Sequence, residues 1–274
     1  MTTTTKTAAT KAATKALPKR AAEIHLDALR RRLESLGLAF AAEALPGLLT
    51  EAVKDDVSTP QFLETLLTAE QTRREERRIR RALGLSGLPT GQTIGNFDFA
   101  FQPSIERSRI EALATCGWIK EKQSLLILGP PGVGKTHLAI ALGVRAVECG
   151  FSVAFYRVEE LMHAMRKDAD RPPTRLKRAK YMKPALLIVD EMGFEPFSRE
   201  EATLFFRLVS YRYGRGAMCI TSNKAISAWT EMLAGDEVIT SAVLDRLLHV
   251  SCVLNIKGRS YRLRDLEETL RTRR

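Results

Sequence analysis

Residues 96–274 alternate short apolar runs with longer stretches of helical periodicity. The apolar runs span 125–128, 153–156, 186–189, 217–221 and 250–256. Apolar strands that alternate with helices are typical of a parallel sheet, because helices cover both of its faces. The pattern therefore predicts an α/β fold in which a five-stranded parallel sheet is flanked by helices.

The first third of the chain has only helical periodicity. Apolar residues recur at the spacing of one helix face at Ile24, Leu26, Leu29, Leu33 and Leu36. Gly37 is expected to end this helix, and Pro46-Gly47 is expected to break the next segment. Ser58-Thr59-Pro60 predicts the start of a further helix, with a hydroxyl cap and a proline in its first turn. The buried side of that helix is expected to comprise Phe62, Leu63, Leu66, Leu67 and Ile79.

The same helix carries six arginines and two glutamates between positions 73 and 81. Two interpretations are open, a solvated face of Glu–Arg pairs and a phosphate-contacting surface. Glycines and prolines then cluster between 84 and 95, which is typical of a linker. The sequence thus predicts a disordered basic tail at 1–20, a small helical N-terminal domain at 21–84, a linker at 85–95 and the α/β domain at 96–274.

The net charge of +11 favours a polyanionic partner, either nucleic acid or an anionic membrane surface. A basic surface without a particular partner would give the same number. The longest apolar run, 185–189, is far shorter than the roughly 20 residues of a membrane-spanning helix, so no membrane partner is expected. Four cysteines without a CxxC pair argue against a zinc site or a disulfide scaffold, and predict a reduced, cytoplasmic compartment.

A glycine-rich turn joins the first predicted strand to the helix after it and fits the pattern GxxxxGK[ST]. Such a loop closes backbone N–H groups around a phosphate at a helix N-terminus. Lys135 is expected to reach the β- and γ-phosphates of ATP, and the Thr136 hydroxyl is expected to bind Mg²⁺. The predicted nucleotide-binding residues are Gly129, Pro130, Pro131, Gly132, Val133, Gly134, Lys135, Thr136 and His137.

Polar residues end the third and fourth predicted strands. Asp190 and Glu191 follow the apolar run 185–189, and Asn223 follows 217–222. Ligands bind at the carboxyl ends of such strands, so Asp190 is expected to hold Mg²⁺ together with Thr136. Glu191 is expected to polarise an attacking water, and Asn223 to orient it. The alternative for the two acids is simple capping of a strand end.

Five segments in this order resemble the IstB family of transposition helper ATPases, a branch of the AAA+ P-loop ATPases close to the DnaC-type helicase loaders. The segments are 96–99 (NFDF), 188–193 (IVDEMG), 220–223 (ITSN), 244–249 (LDRLLH) and 258–262 (GRSYR). The resemblance covers about residues 20–265 and implies an AAA+ ATPase domain at 96–274.

The resemblance implies roles for further residues. Arg246 would be an arginine finger that reaches the γ-phosphate bound by a neighbouring copy, which requires a homo-oligomer. Without the resemblance, an ion pair with Asp245 is the simpler interpretation of Arg246. Phe97 and Asp98 would lie near the adenine, although their turn could equally be a core-anchored loop. No C-terminal helical lid is expected, and either Arg259 or Arg262 could replace the arginine that such a lid carries.

The predicted DNA contact lies between the second and third strands. Residues 166–183 hold eight basic and two acidic side chains, and the corresponding insertion in this branch faces DNA. Basic side chains there would bind phosphates without reading the base sequence, but a solvated connection is the alternative. The residues expected to contact DNA are Lys167, Arg171, Arg175, Lys177 and Arg178.

The sequence thus predicts an ATPase that assembles on duplex DNA, associates with the nucleoid while bound, and helps a DDE-type transposase by presenting target sites for an insertion sequence. ATP and Mg²⁺ are the expected cofactors, and duplex DNA, the transposase and further copies of the chain are the expected partners. The closest alternative is a DnaC-like helicase loader whose helical domain binds a helicase. A nucleotide switch without hydrolysis is disfavoured by Lys135, Asp190, Glu191 and Asn223.

Overall fold

The computed structural model describes residues 19–168 and 179–264, and the chain divides into two compact units between Arg78 and Ile79. The N-terminal unit is helical. Its helices are α1 (Lys19–Ser35), α2 (Ala39–Lys54) and α3 (Thr59–Ser86), the last of which continues into the second unit. Gly37, with φ +74°, follows α1 as predicted. The division between the units falls inside α3 rather than in the linker predicted at 85–95, and α3 includes Gly84.

The predicted break at Pro46-Gly47 is wrong, because α2 runs through both residues. A proline inside a helix removes one backbone hydrogen bond and costs about 3 kcal/mol. Burial offsets this cost here: Ala41, Ala42 and Leu45 are all at most 4% exposed on the turn before the proline. Tertiary packing therefore maintains a helix that local propensity disfavours.

Helix α3 buries Leu66 against Ala41 and Leu45. Leu63 and Leu67, which were expected to be buried, are each 50% exposed, because the core of this small unit covers a narrower stripe of the helix than the pattern suggested. Three of the arginines pair with glutamates one turn away: Arg73 with Glu76, Arg74 with Glu70, and Arg78 with Glu75. For these three arginines the structure agrees with the first interpretation, a helix face of Glu–Arg ion pairs.

Glu70 has a structural task in the N-terminal unit. Its carboxylate is almost fully buried and accepts a 2.8 Å hydrogen bond from the backbone N–H of Ala41, in the first turn of α2. Leu38, which precedes α2, makes no capping bond of its own among the described residues, so Glu70 caps the helix from a distance. Desolvation raises the pKa of Glu70, but the hydrogen bonds from Ala41 and Arg74 outweigh it and hold the pKa below its usual value.

The second unit contains five parallel strands, as predicted, in the order β2-β3-β4-β1-β5. The strands are β1 (Ser124–Leu128), β2 (Val153–Arg157), β3 (Leu186–Met192), β4 (Ala217–Ser222) and β5 (Ser251–Asn255). The helices are α4 (Arg107–Ala114), α5 (Gly117–Lys120), α6 (Lys135–Glu148), α7 (Val158–Asp168), α8 (Arg199–Arg212), α9 (Trp229–Met232) and α10 (Glu237–Leu248), with a 3₁₀ turn at Ile226–Ala228. Two apolar layers, one on each face of the sheet, explain why the strands are apolar throughout.

Arg212 holds the segment before β3 against the end of the sheet at which the strands begin. It is 1% exposed and donates hydrogen bonds to five backbone carbonyls, those of Tyr181, Met182, Pro184, Ala185 and Ala217. Burial lowers the pKa of its guanidinium to about 10. Within 19–168 and 179–264, no helix is long and apolar enough to cross a membrane.

Candidate nucleotide site

The strand order brings the three predicted polar strand ends together. Strand β4 lies between β1 and β3, so its carboxyl end separates the glycine-rich loop after β1 from the two acids of β3. The loop itself turns through left-handed conformations at Gly132 and Gly134, with φ +79° and +97°. A side chain at Gly132 would collide with Ser260, because the segment 258–262 crosses the loop at that point. The Tyr261 N–H donates a 2.9 Å hydrogen bond to the Gly132 carbonyl.

Lys135 begins α6 and lies half-buried in the loop, where its ammonium donates a 2.7 Å hydrogen bond to the Pro130 carbonyl. Burial lowers the pKa of Lys135; the Asp190 carboxylate opposes this effect, and the cation of Arg262 adds to it. A phosphate in the loop would lie beside this half-buried ammonium and would favour its charged form. The position therefore fits the role that the sequence predicts for Lys135.

Asp190 is 1% exposed and accepts hydrogen bonds from two hydroxyl groups. Thr136 Oγ1 lies 2.9 Å from Asp190 Oδ1, and Thr221 Oγ1 donates a short bond to the same oxygen. The structure thus brings together the two residues predicted to hold Mg²⁺. Hydroxyl and carboxylate oxygens fit this hard cation. No cluster of three carboxylate, histidine or cysteine ligands occurs in the described ranges, so phosphate oxygens and waters would have to complete the coordination of Mg²⁺.

Glu191 lies in a bulge of β3. The register with β4 shifts between Val189 and Met192, and Glu191 has a left-handed φ of +63°, which is costly for a residue with a side chain. The Glu191 N–H donates a 3.0 Å hydrogen bond to Thr221 Oγ1, which holds this backbone. The bulge turns the Glu191 side chain toward Arg157, at the end of β2, with 3.7 Å between Nε and Oε2.

A cavity of about 290 Å³ adjoins the loop. The predicted nucleotide-binding residues that line it are Phe97, Asp98, Gly132, Val133, Gly134, Lys135, Thr136 and His137. Gly129, Pro130 and Pro131 form the turn that leaves β1 and lie outside this lining. Phe97 packs edge-on against His137, and His137 Nε2 bonds the Thr93 carbonyl at 2.9 Å. Phe97 is also part of the core, which agrees with a core-anchored turn, and its contact with adenine stays a prediction.

The cavity also contains residues that sequence reasoning missed or left open. Gln102 is 2% exposed and its Nε2 donates to the Arg259 carbonyl at 3.0 Å. Arg262 lines the cavity, whereas only the backbone of Arg259 takes part in that hydrogen bond. Of the two arginines suggested as lid substitutes, Arg262 is therefore the one near the phosphate loop. No local pattern marks Gln102 as a site residue, whereas Thr221, which lies outside this lining, belongs to the segment 220–223 noted above.

Asn223 follows β4 close to the loop that continues from Glu191. A side chain added at Gly193 would come within 3.1 Å of Asn223 Oδ1. This oxygen is buried and has no hydrogen-bond partner among the residues described, so it is available to a ligand or water after a small rearrangement.

Arg246 lies at the opposite edge of the sheet. It borders a hollow together with Ser124 and Met218, which stand at the beginning of β1 and β4. Its guanidinium stacks on Phe206 at 5.1 Å and donates a 2.7 Å hydrogen bond to the Ala242 carbonyl. A five-residue strand is roughly 15 Å long. Arg246 therefore lies far from the phosphate loop of its own chain.

Of the predicted DNA contacts, Lys167 is an exposed residue near the end of α7. Arg171, Arg175, Lys177 and Arg178 lie outside the described residues. Asp168 and Tyr181, which flank positions 169–178, are joined: the Tyr181 hydroxyl donates a 3.1 Å hydrogen bond to the Asp168 carboxylate.

Comparison with known proteins identifies the family. The model of the IstB-like ATP-binding protein family matches residues 31–269. The chain belongs to this family. It is 42% identical over 242 residues to a Pseudomonas aeruginosa protein named as an ATP-binding protein of insertion sequence IS21, covering 88% of this chain and 89% of the relative. Identity to the corresponding IS5376 protein of Geobacillus stearothermophilus is 39% over 230 residues, covering 84% and 91%.

Among solved structures, the replication initiator DnaA bound to AMPPCP and single-stranded DNA is similar, with a TM-score of 0.52 and 19% identity over 68% of this chain and 56% of the other. This likeness concerns the fold alone, a five-stranded parallel sheet flanked by helices as expected from the sequence. The family is thus one described as ATP-binding, and both relatives are named for insertion sequences.

Proposed function

We propose that this IstB-like protein hydrolyses ATP with Mg²⁺ and uses the cycle to assemble on duplex DNA, where it presents target sites to a DDE-type transposase. One observation carries the proposal. Lys135, Thr136, Asp190 and Glu191 converge at one edge of the sheet, while Arg246 lies at the other. Of the groups proposed for catalysis, Arg246 lies away from the others, so a neighbouring copy would have to supply this cation. The insertion-sequence relatives favour transposition over helicase loading.

In the proposed reaction Lys135 binds the β- and γ-phosphates, and Thr136 and Asp190 hold Mg²⁺, which would neutralise phosphate charge. Glu191 accepts a hydrogen bond from the attacking water, whose oxygen is aligned with the γ-phosphate by Asn223. Arg246 of a neighbouring copy stabilises the charge that develops on the transferred phosphoryl group. Arginines supplied in this way raise turnover by roughly 10³–10⁵-fold, so hydrolysis would depend on assembly.

A complementation experiment tests the shared site. Lys135→Ala removes phosphate binding and Arg246→Ala removes the donated cation, so each variant alone should be inactive in phosphate release with duplex DNA. In a 1:1 mixture, copies with an intact nucleotide site receive arginine from a Lys135→Ala neighbour, and about one quarter of the wild-type rate should return if copies mix at random. Arg145→Ala, an exposed arginine paired with Glu148, is the matched control and should retain full activity. A mixture as inactive as its components would contradict the shared site.

The DNA contact has a separate test. Reversing the charge of Lys167, Arg171, Arg175, Lys177 and Arg178 should weaken duplex binding and flatten its salt dependence, because each phosphate contact releases counterions. The same changes should leave ATP affinity unaltered. Unchanged DNA affinity and salt slope would reject these residues as the DNA contact.

A further inference from the structure

The position of Arg246 determines which surfaces of two copies must meet. This inference rests on the proposed donation of Arg246 to a neighbouring site. Since Arg246 lies at the beginning of the strands and Glu191 at their end, the contact joins two different faces, head to tail. The front face surrounds Glu191, and the back face surrounds Arg246. Whatever projects near Glu191 must find room near Arg246 of the next copy.

The back face contains a hollow of about 210 Å³. Val209, Met218 and Val250 give it an apolar lining, and the exposed ring of Tyr213 stands at its border. The hollow also has cationic groups. Arg246 and Lys122 line it together with one carboxylate, that of Glu121, and the buried Arg212 lies against it, so the cationic groups outnumber the acid. The hollow therefore suits an apolar group next to an acceptor or an anion.

The front face has a projecting group of this kind. Phe194 is 62% exposed, an unusual state for a phenyl ring, and it follows Glu191 by three residues. Glu195, its exposed neighbour, supplies a carboxylate. Both ends of this tip are held: Gly193 packs against Lys224, and the Phe197 N–H donates a 2.7 Å hydrogen bond to the Met232 carbonyl. A tip anchored on both sides presents its ring without a large entropy cost on binding.

Chain geometry brings the two features within reach of each other. Three residues of extended chain span at most about 10 Å, so Phe194 lies near any cation that approaches the phosphate beside Glu191. The hollow is bordered by Arg246, Tyr213 and Val250. When Arg246 approaches a neighbouring nucleotide site, the hollow therefore comes close to Phe194 of that neighbour. Buried aromatic side chains that fill a pocket carry much of the binding energy of protein interfaces.

We propose that Phe194 of one copy inserts into the hollow beside Arg246 of the next copy, with Glu195 facing Lys122. The aromatic group aligns the two faces, so Arg246 reaches the phosphate site only when Phe194 is seated. The occupant is a second copy of this chain, and Phe194 acts as an assembly residue rather than in the chemical step.

The first test compares Phe194→Ser with Leu36→Ser, which changes a leucine of the N-terminal unit that is even more exposed, at 73%. Sedimentation velocity with ATP and Mg²⁺ over a range of protein concentrations measures assembly. Phe194→Ser should raise the concentration needed for assembly by at least about tenfold, as expected for the loss of one aromatic anchor. The ATP affinity of Phe194→Ser, measured at protein concentrations below assembly, should stay unchanged. Leu36→Ser should keep both its ATP affinity and its assembly concentration. Assembly of Phe194→Ser at the wild-type concentration would overturn the proposal.

Cross-linking locates the ring. One copy carries Glu195→Cys, which keeps the Phe194 ring, and a differently tagged copy carries Val250→Cys; both carry Cys149→Ser and Cys252→Ser because those two cysteines are not buried. A short bis-maleimide should join the two tags in ATP and not in its absence. An absent cross-link would overturn this docking if Lys135→Ala and Arg246→Ala still complement each other under the same conditions. That result would leave the shared site intact. Loss of both cross-link and complementation would overturn the proposed function and this inference together.

Discussion

Thr221 links the two acids of the site, and its hydroxyl can be removed almost without a change of shape by Thr221→Val. The side chain is 1% exposed, donates to Asp190 and accepts from the Glu191 N–H at 3.0 Å. The change deletes one hydrogen bond to a carboxylate, worth about 1.5–3 kcal/mol, and leaves a buried N–H unpaired, at about 1–3 kcal/mol. The extra methyl contact of valine recovers part of this. We expect a net loss of about 2–4 kcal/mol in the free energy of unfolding.

The assay is denaturant unfolding of the full chain, with a phosphate-release measurement beside it. A loss of this size should lower the melting temperature by roughly 5–15 °C. The unpaired Glu191 backbone should also relax from its left-handed φ of +63°, and turnover should fall by about 10–100-fold, which corresponds to about 1.4–2.8 kcal/mol. Thr221→Ser keeps the hydroxyl and is the control. Stability of Thr221→Val within about 0.5 kcal/mol of wild type would refute the role assigned to this hydroxyl.

Three further changes test single features. Glu70→Gln should cost the N-terminal unit about 1 kcal/mol, measured by urea unfolding, because the amide oxygen can still accept from Ala41 but the hydrogen bonds are no longer charge-assisted. Because the folded pKa of Glu70 lies below its ordinary value of 4.5, its contribution is fully present above that pH and is lost as pH falls through the folded pKa. The variant should therefore show a flatter acid limb, and an unaltered limb would contradict the cap. Lys135→Ala should weaken ATP binding by about 100-fold through loss of charge-assisted bonds, whereas Lys120→Ala, at an exposed lysine, should not. Equal affinities of the two variants for a fluorescent ATP analogue would count against phosphate binding by this loop. Arg212→Met should destabilise the second unit by roughly 3 kcal/mol or more, since several buried carbonyls lose their donor, and a loss below about 1 kcal/mol in chemical denaturation would disprove that anchoring role.

Local signals sufficed for the parts of this protein that depend on neighbours in the chain. The strands could be located because fully buried strands need continuous apolar runs, and the phosphate loop because its glycines, Lys135 and Thr136 are consecutive. Asp190 and Glu191 were recognisable because they end such a run. These features are set by backbone conformation and by burial on both faces of a sheet.

Tertiary structure decided everything that joins residues distant in sequence. Only packing keeps Pro46 inside a helix, and only the position of β4 between β1 and β3 brings the Thr221 hydroxyl to Asp190. The choice of Arg262 over Arg259 depends on how the segment 258–262 crosses the phosphate loop. The place of Arg246 at the far edge of the sheet follows from strand direction. Sequence determines which side chains are present, but the strand order determines which of them meet, because hydrogen bonds and ion pairs act over a few ångströms.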